Sequence, residues 1–348
     1  MKAVILLGAV LGSANLHAQS SVQVYGIVDA GIEYINKART GSTGTATGSL
    51  TKIDSGNAAA SRIGFRGRED LGDGYAGVFN LENGFSADTG AAANGGRLFG
   101  RQAYVGLAGP FGEVQLGRET TATFDFGALY DPMIPARYSA LAMDAAFAGR
   151  ADNAVRYAGK FGGLTMSAQY SLGFDGLIAN GGELPGAYKV GKEISANVNY
   201  QFRNVLAGLL YGRQNGSSIA TQNNTIERFG AGIAIDFNAL KLTAAFQRRD
   251  MNTPAAISRK NLYWVALVGS PSPAVSLRGA VYFINPTGAS NSTAMYTVLA
   301  SYALSKRSDI YSQISLMRNQ SMSAMALDGT VNPGDNQTGL TIGIRHRF

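Results

Sequence analysis

Hydrophobic and polar residues alternate singly along most of this chain. The last eleven residues state the pattern most sharply. Leu340, Ile342, Ile344, His346 and Phe348 fall on one side of an extended strand, and Gly339, Thr341, Gly343, Arg345 and Arg347 on the other. Residues 191–203 repeat it, with Ile194, Ala196, Val198, Tyr200 and Phe202 set against Ser195, Asn197, Asn199, Gln201 and Arg203. Segments 164–172, 229–237 and 296–304 behave in the same way. Helical spacing would scatter these residues around a cylinder, whereas a period of two sorts them onto two faces. The chain is predicted to be all-β.

The connections between these segments come in two sizes. Tight-turn sequences rich in Gly, Pro, Asn, Asp and Ser occur at 71–74, 109–112, 161–163, near 204, and at 238–241, 270–273 and 305–309. Longer polar stretches fall between them, at 37–57, 88–96, 120–149, 175–190, 215–224, 251–259, 286–292 and 321–337. Seven turns alternating with eight loops delimit sixteen antiparallel strands, with both termini on the short-turn side. Roughly 20 residues per strand and connection suits strands of about 9–11 residues crossing a bilayer. Apolar groups on one face and arginines on the other match a wall with lipid outside and water inside. The expected fold is therefore a transmembrane antiparallel β-barrel. Each strand needs both neighbours, so residues 19–348 are expected to form one domain.

The beginning of the chain predicts export. Lys2 precedes the apolar run 3–11, and Leu16-His-Ala18 ends on a small residue. That is the plan of a secretory signal peptide, too short to span a bilayer, with cleavage after Ala18 and a mature start at Gln19. No other stretch is apolar for long enough to make a transmembrane helix. Cysteine is absent, so no disulfide framework holds the exported chain together. The formal charge of +7 falls to +6 when residues 1–18, which hold Lys2 and no acid, are removed. With no long basic run in an exported chain, nucleic acid is not an expected partner.

Enzymatic chemistry has little to work with. Beyond residue 18 the one histidine is His346, which falls on the apolar side of the terminal strand. A Ser-His or Cys-His pair and a His/Cys zinc site are both left without parts. Asp70-Leu-Gly-Asp-Gly-Tyr75 glances at a calcium loop but carries Leu81 at the twelfth position. Gly41–Gly48 has neither the lysine nor the strand–helix context of a phosphate loop. No cofactor is implied.

Three segments carry a family resemblance: Gln19–Gly31, Ser61-Arg-Ile-Gly-Phe-Arg-Gly-Arg-Glu-Asp-Leu-Gly-Asp-Gly74, and Gly96-Arg-Leu-Phe-Gly-Arg-Gln-Ala-Tyr-Val-Gly-Leu107. With the terminal strand ending on Phe348, they resemble general porins of β-proteobacteria, the kind found in Neisseria, Bordetella and Burkholderia. The resemblance runs from Gln19 to Phe348. It implies a homotrimer of sixteen-stranded barrels in the Gram-negative outer membrane, among lipid and lipopolysaccharide. Small hydrophilic solutes and ions would diffuse passively through each barrel. It implies that Phe348 is an assembly signal for the barrel-assembly machinery. It also implies that the third extracellular loop, here 120–149, folds inward and narrows the channel. By the same resemblance strands between Val22 and Arg118 make the trimer contact, with Arg118 reaching an acid of the neighbouring second loop, Asp88 being the obvious one.

Relatives place a ladder of arginines on the wall opposite that loop. Arg62 matches it by its place in Arg-Ile-Gly-Phe-Arg-Gly, Arg101 by standing before Gln-Ala-Tyr-Val-Gly-Leu, and Arg150 by following the loop. Arg66 is the next candidate. Strand parity agrees, because Arg62 and Arg66 lie opposite Ile63 and Phe65, and an arginine in mid-membrane lipid costs roughly 2–4 kcal/mol. The loop glutamate of enterobacterial relatives is missing from Pro135-Ala-Arg-Tyr138, where Arg137 stands beside its position. Asp131 is expected at the constriction, with Asp144 and Asp125 as other counter-charges. A positive ring that prefers anions is the expectation. A substrate-specific channel and a non-conducting surface barrel remain the alternatives.

Overall fold

The computed structural model describes residues 21–41, 44–175, 183–288 and 290–348. The expected signal peptide, 1–18, and its cleavage point lie outside them. Among the described residues seventeen strands form one antiparallel sheet that closes on itself. The last, β17 (Gln337–Arg347), pairs with β1 (Ser21–Arg39) from Ile27↔Arg347 to Ile35↔Gly339. Past the end of that ladder Gly26 and Phe348 exchange both backbone hydrogen bonds at 3.1 Å. A Cβ at Gly26 would overlap the Phe348 ring, so the terminal aromatic lies directly on a residue without a side chain.

Seventeen strands make sixteen staves. β2 (Thr47–Ser55) pairs with the upper part of β1, and β3 (Arg62–Gly72) with Ser21–Ile27 at its lower end, so the two are halves of one interrupted stave. The chain leaves the ladder between them, and its freed amides find a carboxylate. Asp29 of β1 accepts from the backbone N–H of Asn57 (3.1 Å), Ala58 (3.2 Å) and Ala59 (2.9 Å). A break in a sheet is tolerable where each displaced donor is paired in this way.

The expected turns all join neighbouring staves. One expectation is corrected. The polar stretch 37–57 is not one loop, because β1 continues to Arg39 and Thr47–Ser55 is strand. The outward face of β2 carries Ser49, Thr51, Ile53 and Ser55, so it offers no apolar stripe to the eye.

Burial is inverted relative to a soluble sheet. On β17, Ile342 is 58% exposed whereas Thr341 is 1% exposed. Tyr170, Ile194, Val198, Tyr200 and Phe202 likewise point outward, while Gln169, Ser195, Asn197 and Asn199 line the inside. An apolar exterior and a polar interior are what a barrel in lipid requires. One part of the inner wall departs from this. Leu210, Leu262, Trp264, Tyr282, Met295 and Met317 face inward and are buried under a segment inside the barrel.

That segment is the connection 121–149. It opens with α1 (Ala122–Tyr130), capped by Thr121, whose hydroxyl accepts from the Phe124 N–H. Two short 3-10 turns follow, Ala140–Ala142 and Ala145–Ala148. Phe126 and Phe147 pack edge-on against Trp264 at ring separations of 6.2 and 5.6 Å.

Candidate functional site

The inserted segment is fastened around much of the lumen wall. The Tyr130 hydroxyl donates to Asn199 Oδ1 (2.9 Å), and the Trp264 indole N–H donates to the Tyr130 carbonyl (3.0 Å). Arg278 donates to the Pro132 carbonyl at 2.8 Å, and Gln313 to the Tyr138 carbonyl at 3.2 Å. On the return, Asp144 accepts from Gln247 (2.9 Å) and pairs with Arg228 (3.1 Å) and Arg249 (3.7 Å). These anchors hold the segment against the staves that run from Asn199 to Gln313, and the staves of Arg62, Arg101 and Arg150 make up the other side.

On that other side three of the expected arginines come together. Glu82 on β4 (Tyr75–Gly84) accepts from Arg101 Nε through Oε1 at 2.5 Å, and its Oε2 lies 3.5 Å from Arg62 Nε. The Tyr25 hydroxyl fixes the same carboxylate at 2.9 Å. Arg150, at the start of β7 (Arg150–Phe161), donates to the backbone carbonyls of Arg101 (2.9 Å) and Ala148 (2.5 Å). Its guanidinium stands 5.1 Å from the Phe124 ring centre, which ties wall to loop. Among the described residues these arginines pair with no carboxylate except Glu82. Three arginines less one glutamate leave two positive charges.

The other expected site residues do not join this group. Arg66 is four residues below Arg62, about 13 Å along the strand, where it donates to Gln23 Oε1 and lies over Tyr25. It faces inward, at another level. Asp131 is 0% exposed and turns into the loop's own fold. It accepts from the Met133 and Ala140 N–H groups and from the Tyr282 hydroxyl at 2.8 Å, so it shapes the loop and does not meet the arginines. Asp125 and Asp144 are taken by Arg156 and Arg228 respectively.

Arg137 stands apart from the positive group, in a latch. It pairs with Asp54 (2.6 Å), Asp328 (3.3 Å) and Glu33 (3.5 Å). The Lys52 ammonium sits among the same acids, 3.2 Å from Glu33 and 2.7 Å from Asp54, with Asp328 in contact. The three carboxylates lie within 4.8 Å of one another, as metal ligands would, and here they enclose a lysine. Tyr138 donates to Glu33 as well. The latch joins the loop tip to β1, to β2 and to the connection before β17.

Glu82, the acid that answers these arginines, lies on a strand and not on the loop. Its signal was available, since Ala76, Val78, Asn80 and Glu82 share the face opposite Phe79 and Leu81. Arg118, expected to reach a neighbouring subunit, pairs within its own chain with Asp152 at 2.6 Å.

Comparison with known proteins agrees with this architecture. The sequence profile of the Gram-negative porin family matches residues 3–321. The chain is 30% identical to outer membrane porin protein 32 of Delftia acidovorans over all of this chain and 99% of that one. It is 28% identical to an outer membrane porin of Bordetella pertussis across the full length of both. Among solved structures, the anion-selective porin from Comamonas acidovorans superposes with a TM-score of 0.81 at 27% identity, covering 95% of this chain and all of that one. The trimer form of OmpT from Vibrio cholerae shares the fold at 14% identity, with a TM-score of 0.70 over 94% and 99% of the two chains. With the family profile spanning most of the sequence and the barrel closed around a polar lumen, the chain belongs to the Gram-negative porins of the outer membrane.

Proposed function

We propose that this protein is a general diffusion porin that prefers anions, and that Arg62, Arg101 and Arg150 set the preference. The observation that carries the reading is the gathering of Arg62 and Arg101 on the single carboxylate of Glu82, with Arg150 bonded beside them to the Arg101 carbonyl and to the inserted loop. At an effective dielectric near 20, a charge about 4 Å from a permeating ion interacts by about 4 kcal/mol before dehydration and salt screening. Charges at one narrow level therefore outweigh a net charge spread over the whole molecule. The anion selectivity of the Comamonas acidovorans relative supports the same reading.

The decisive experiment is single-channel recording across a potassium chloride gradient. Wild-type protein should show a reversal potential on the chloride side, and Arg62→Gln/Arg101→Gln/Arg150→Gln should move it toward the potassium side. A cation-selective wild type would overturn the proposal, and an unmoved potential would place the selectivity elsewhere.

Assembly follows from the same reading. The trimeric form of a structural relative supports a homotrimer, and outward-facing Val22, Val24, Val105, Leu107 and Leu116 give the first staves an apolar contact surface. Residues 1–18 serve as the export signal, and Phe348 is the terminus that the barrel-assembly machinery engages. Deleting Phe348 should lower trimer yield in outer-membrane fractions at native expression. Undiminished yield would reduce it to an ordinary strand end.

A further inference from the structure

A cavity of about 250 Å³ opens on the outer wall of the barrel, at the loop end of four consecutive staves. Strand register defines its floor. Tyr170 of β8 (Leu164–Ser171) pairs with Ile194 of β9 (Glu193–Phe202), and Ile194 with Arg213 of β10 (Val205–Asn215). All three share the outward parity of Val198, Tyr200 and Leu209, so this row faces away from the lumen. Lys192 lies on the loop side of the row, with its ammonium 5.8 Å from the Tyr170 ring centre, and Lys189 lines the same cavity.

Three cations thus converge just above exposed Tyr170 and Ile194, and the acid that borders the same cavity, Glu193, is 7% exposed and has the inward parity of Ser195. Lys189 donates to Asn223 Oδ1 at 3.3 Å and Lys192 to the Leu172 carbonyl at 3.0 Å, both neutral acceptors. An ammonium has three donors, so each lysine keeps others for a ligand. Among the described residues neither lysine pairs with a carboxylate. Arg213 meets Glu227 at 3.7 Å with its side chain 47% exposed, a loose pair of the kind that contributes little. Charged heads over an apolar belt that also bears a tyrosine are the arrangement of a membrane interface.

We infer that Lys189, Lys192 and Arg213 bind the phosphorylated head group of an outer-leaflet lipid whose chains lie along Ile194 and Tyr170. The position favours a lipid over a free anion. The cavity is on the wall exterior, away from the permeation path, and its lower border is the apolar surface that acyl chains would cover. Phosphate oxygens accept charge-assisted hydrogen bonds from both lysine and arginine. The inference rests on the outer-membrane reading above, which puts the long-loop end at the cell exterior.

The test titrates the folded, delipidated full-length protein with purified lipopolysaccharide, with the same material after enzymatic dephosphorylation, and with inorganic phosphate. Wild type should bind the phosphorylated lipid at least about tenfold more tightly than the dephosphorylated one, three interfacial cations being involved. Lys189→Gln/Lys192→Gln/Arg213→Gln should erase that difference, while Lys189→Arg/Lys192→Arg should retain it. Channel conductance of each variant reports folding and tests the porin reading separately, because none of these side chains faces the lumen. Equal binding of both lipids by wild type, or an unaffected glutamine variant that still conducts, would overturn the site. Displacement of the lipid by inorganic phosphate at equal concentration would overturn its assignment to a lipid.

Discussion

Tyr311 and Asp29 are 282 residues apart, yet the tyrosine hydroxyl donates to Asp29 Oδ1 at 2.7 Å. The contact reaches from β16 (Ser308–Asn319) to β1 across the intervening β17. Gly343 and Gly31 make room for it, since a Cβ at either would crowd the Tyr311 hydroxyl. The carboxylate at the receiving end is the one that pairs the amides freed by the interrupted second stave. A single side chain therefore secures both the closure of the barrel and the interruption of its second stave.

Tyr311→Phe should weaken that closure. Removing one hydrogen bond to a charged group costs roughly 1.5–3 kcal/mol. The expected result is a lower urea midpoint for unfolding in lipid vesicles, with single-channel conductance unchanged. An unaltered midpoint would show that the Asn57, Ala58 and Ala59 amides hold Asp29 adequately alone.

Glu82→Gln should sharpen selectivity. The substitution removes the one carboxylate paired with Arg62 and Arg101 while leaving a side chain of similar size. One unit charge at about 4 Å amounts to about 1 kcal/mol even in bulk water, or roughly a fivefold change in relative permeability. The reversal potential in a salt gradient should move further toward the chloride value.

The latch should yield to mutation and to acid. Arg137→Ala leaves Glu33, Asp54 and Asp328 with Lys52 as their remaining cation, and the loop tip should fluctuate, seen as increased open-channel noise. Burial by itself would raise the Asp328 carboxyl, but hydrogen bonding to Lys52 and the charge of Arg137 outweigh it and hold the group below its ordinary 3.8. Its charged form is favoured in the latched state. That contribution is complete above 3.8 and is lost as the pH falls through the lowered value. Loss of the Asp328 charge in acid should therefore raise noise in the wild-type channel, and Asp328→Asn should show it at neutral pH.

Trp264 offers a direct optical reading of the loop. It is the chain's one tryptophan, 2% exposed beneath Phe126 and Phe147. In folded wild type its emission should be shielded from aqueous iodide. Phe147→Ala should raise quenching and cost about 3–5 kcal/mol of loop packing. Quenching that stays at the wild-type level would mean that the loop collapses onto the vacated space.

Alternation made the staves legible, because a wall between lipid and water demands a change of polarity at every residue. It failed at β2, where Ser49, Thr51 and Ser55 leave the outward face without apolar marking. It also gave no warning of the apolar island under the loop, where Leu262, Trp264 and Tyr282 face inward on strands whose outer side is apolar too. The positive group was readable in Arg62, Arg101 and Arg150 from parity and resemblance. Its counter-charge, Glu82, sits on a strand where an acid has no sequence neighbour to announce it, and the latch is invisible in sequence, since Lys52, Arg137 and Asp328 meet only through the closure of the sheet.

The loop's anchorage sets an order of events during biogenesis. Its holdfasts lie on Asn199, Trp264, Arg278 and Gln313, and at its tip on Glu33, so they come from early and late parts of the chain alike. A half-inserted sheet has only some of them in place. The segment between Thr121 and Gly149 therefore has no complete berth until the final stave meets the first. A fully berthed loop is thus a mark of completed assembly, because its holdfasts stand on both sides of the seam.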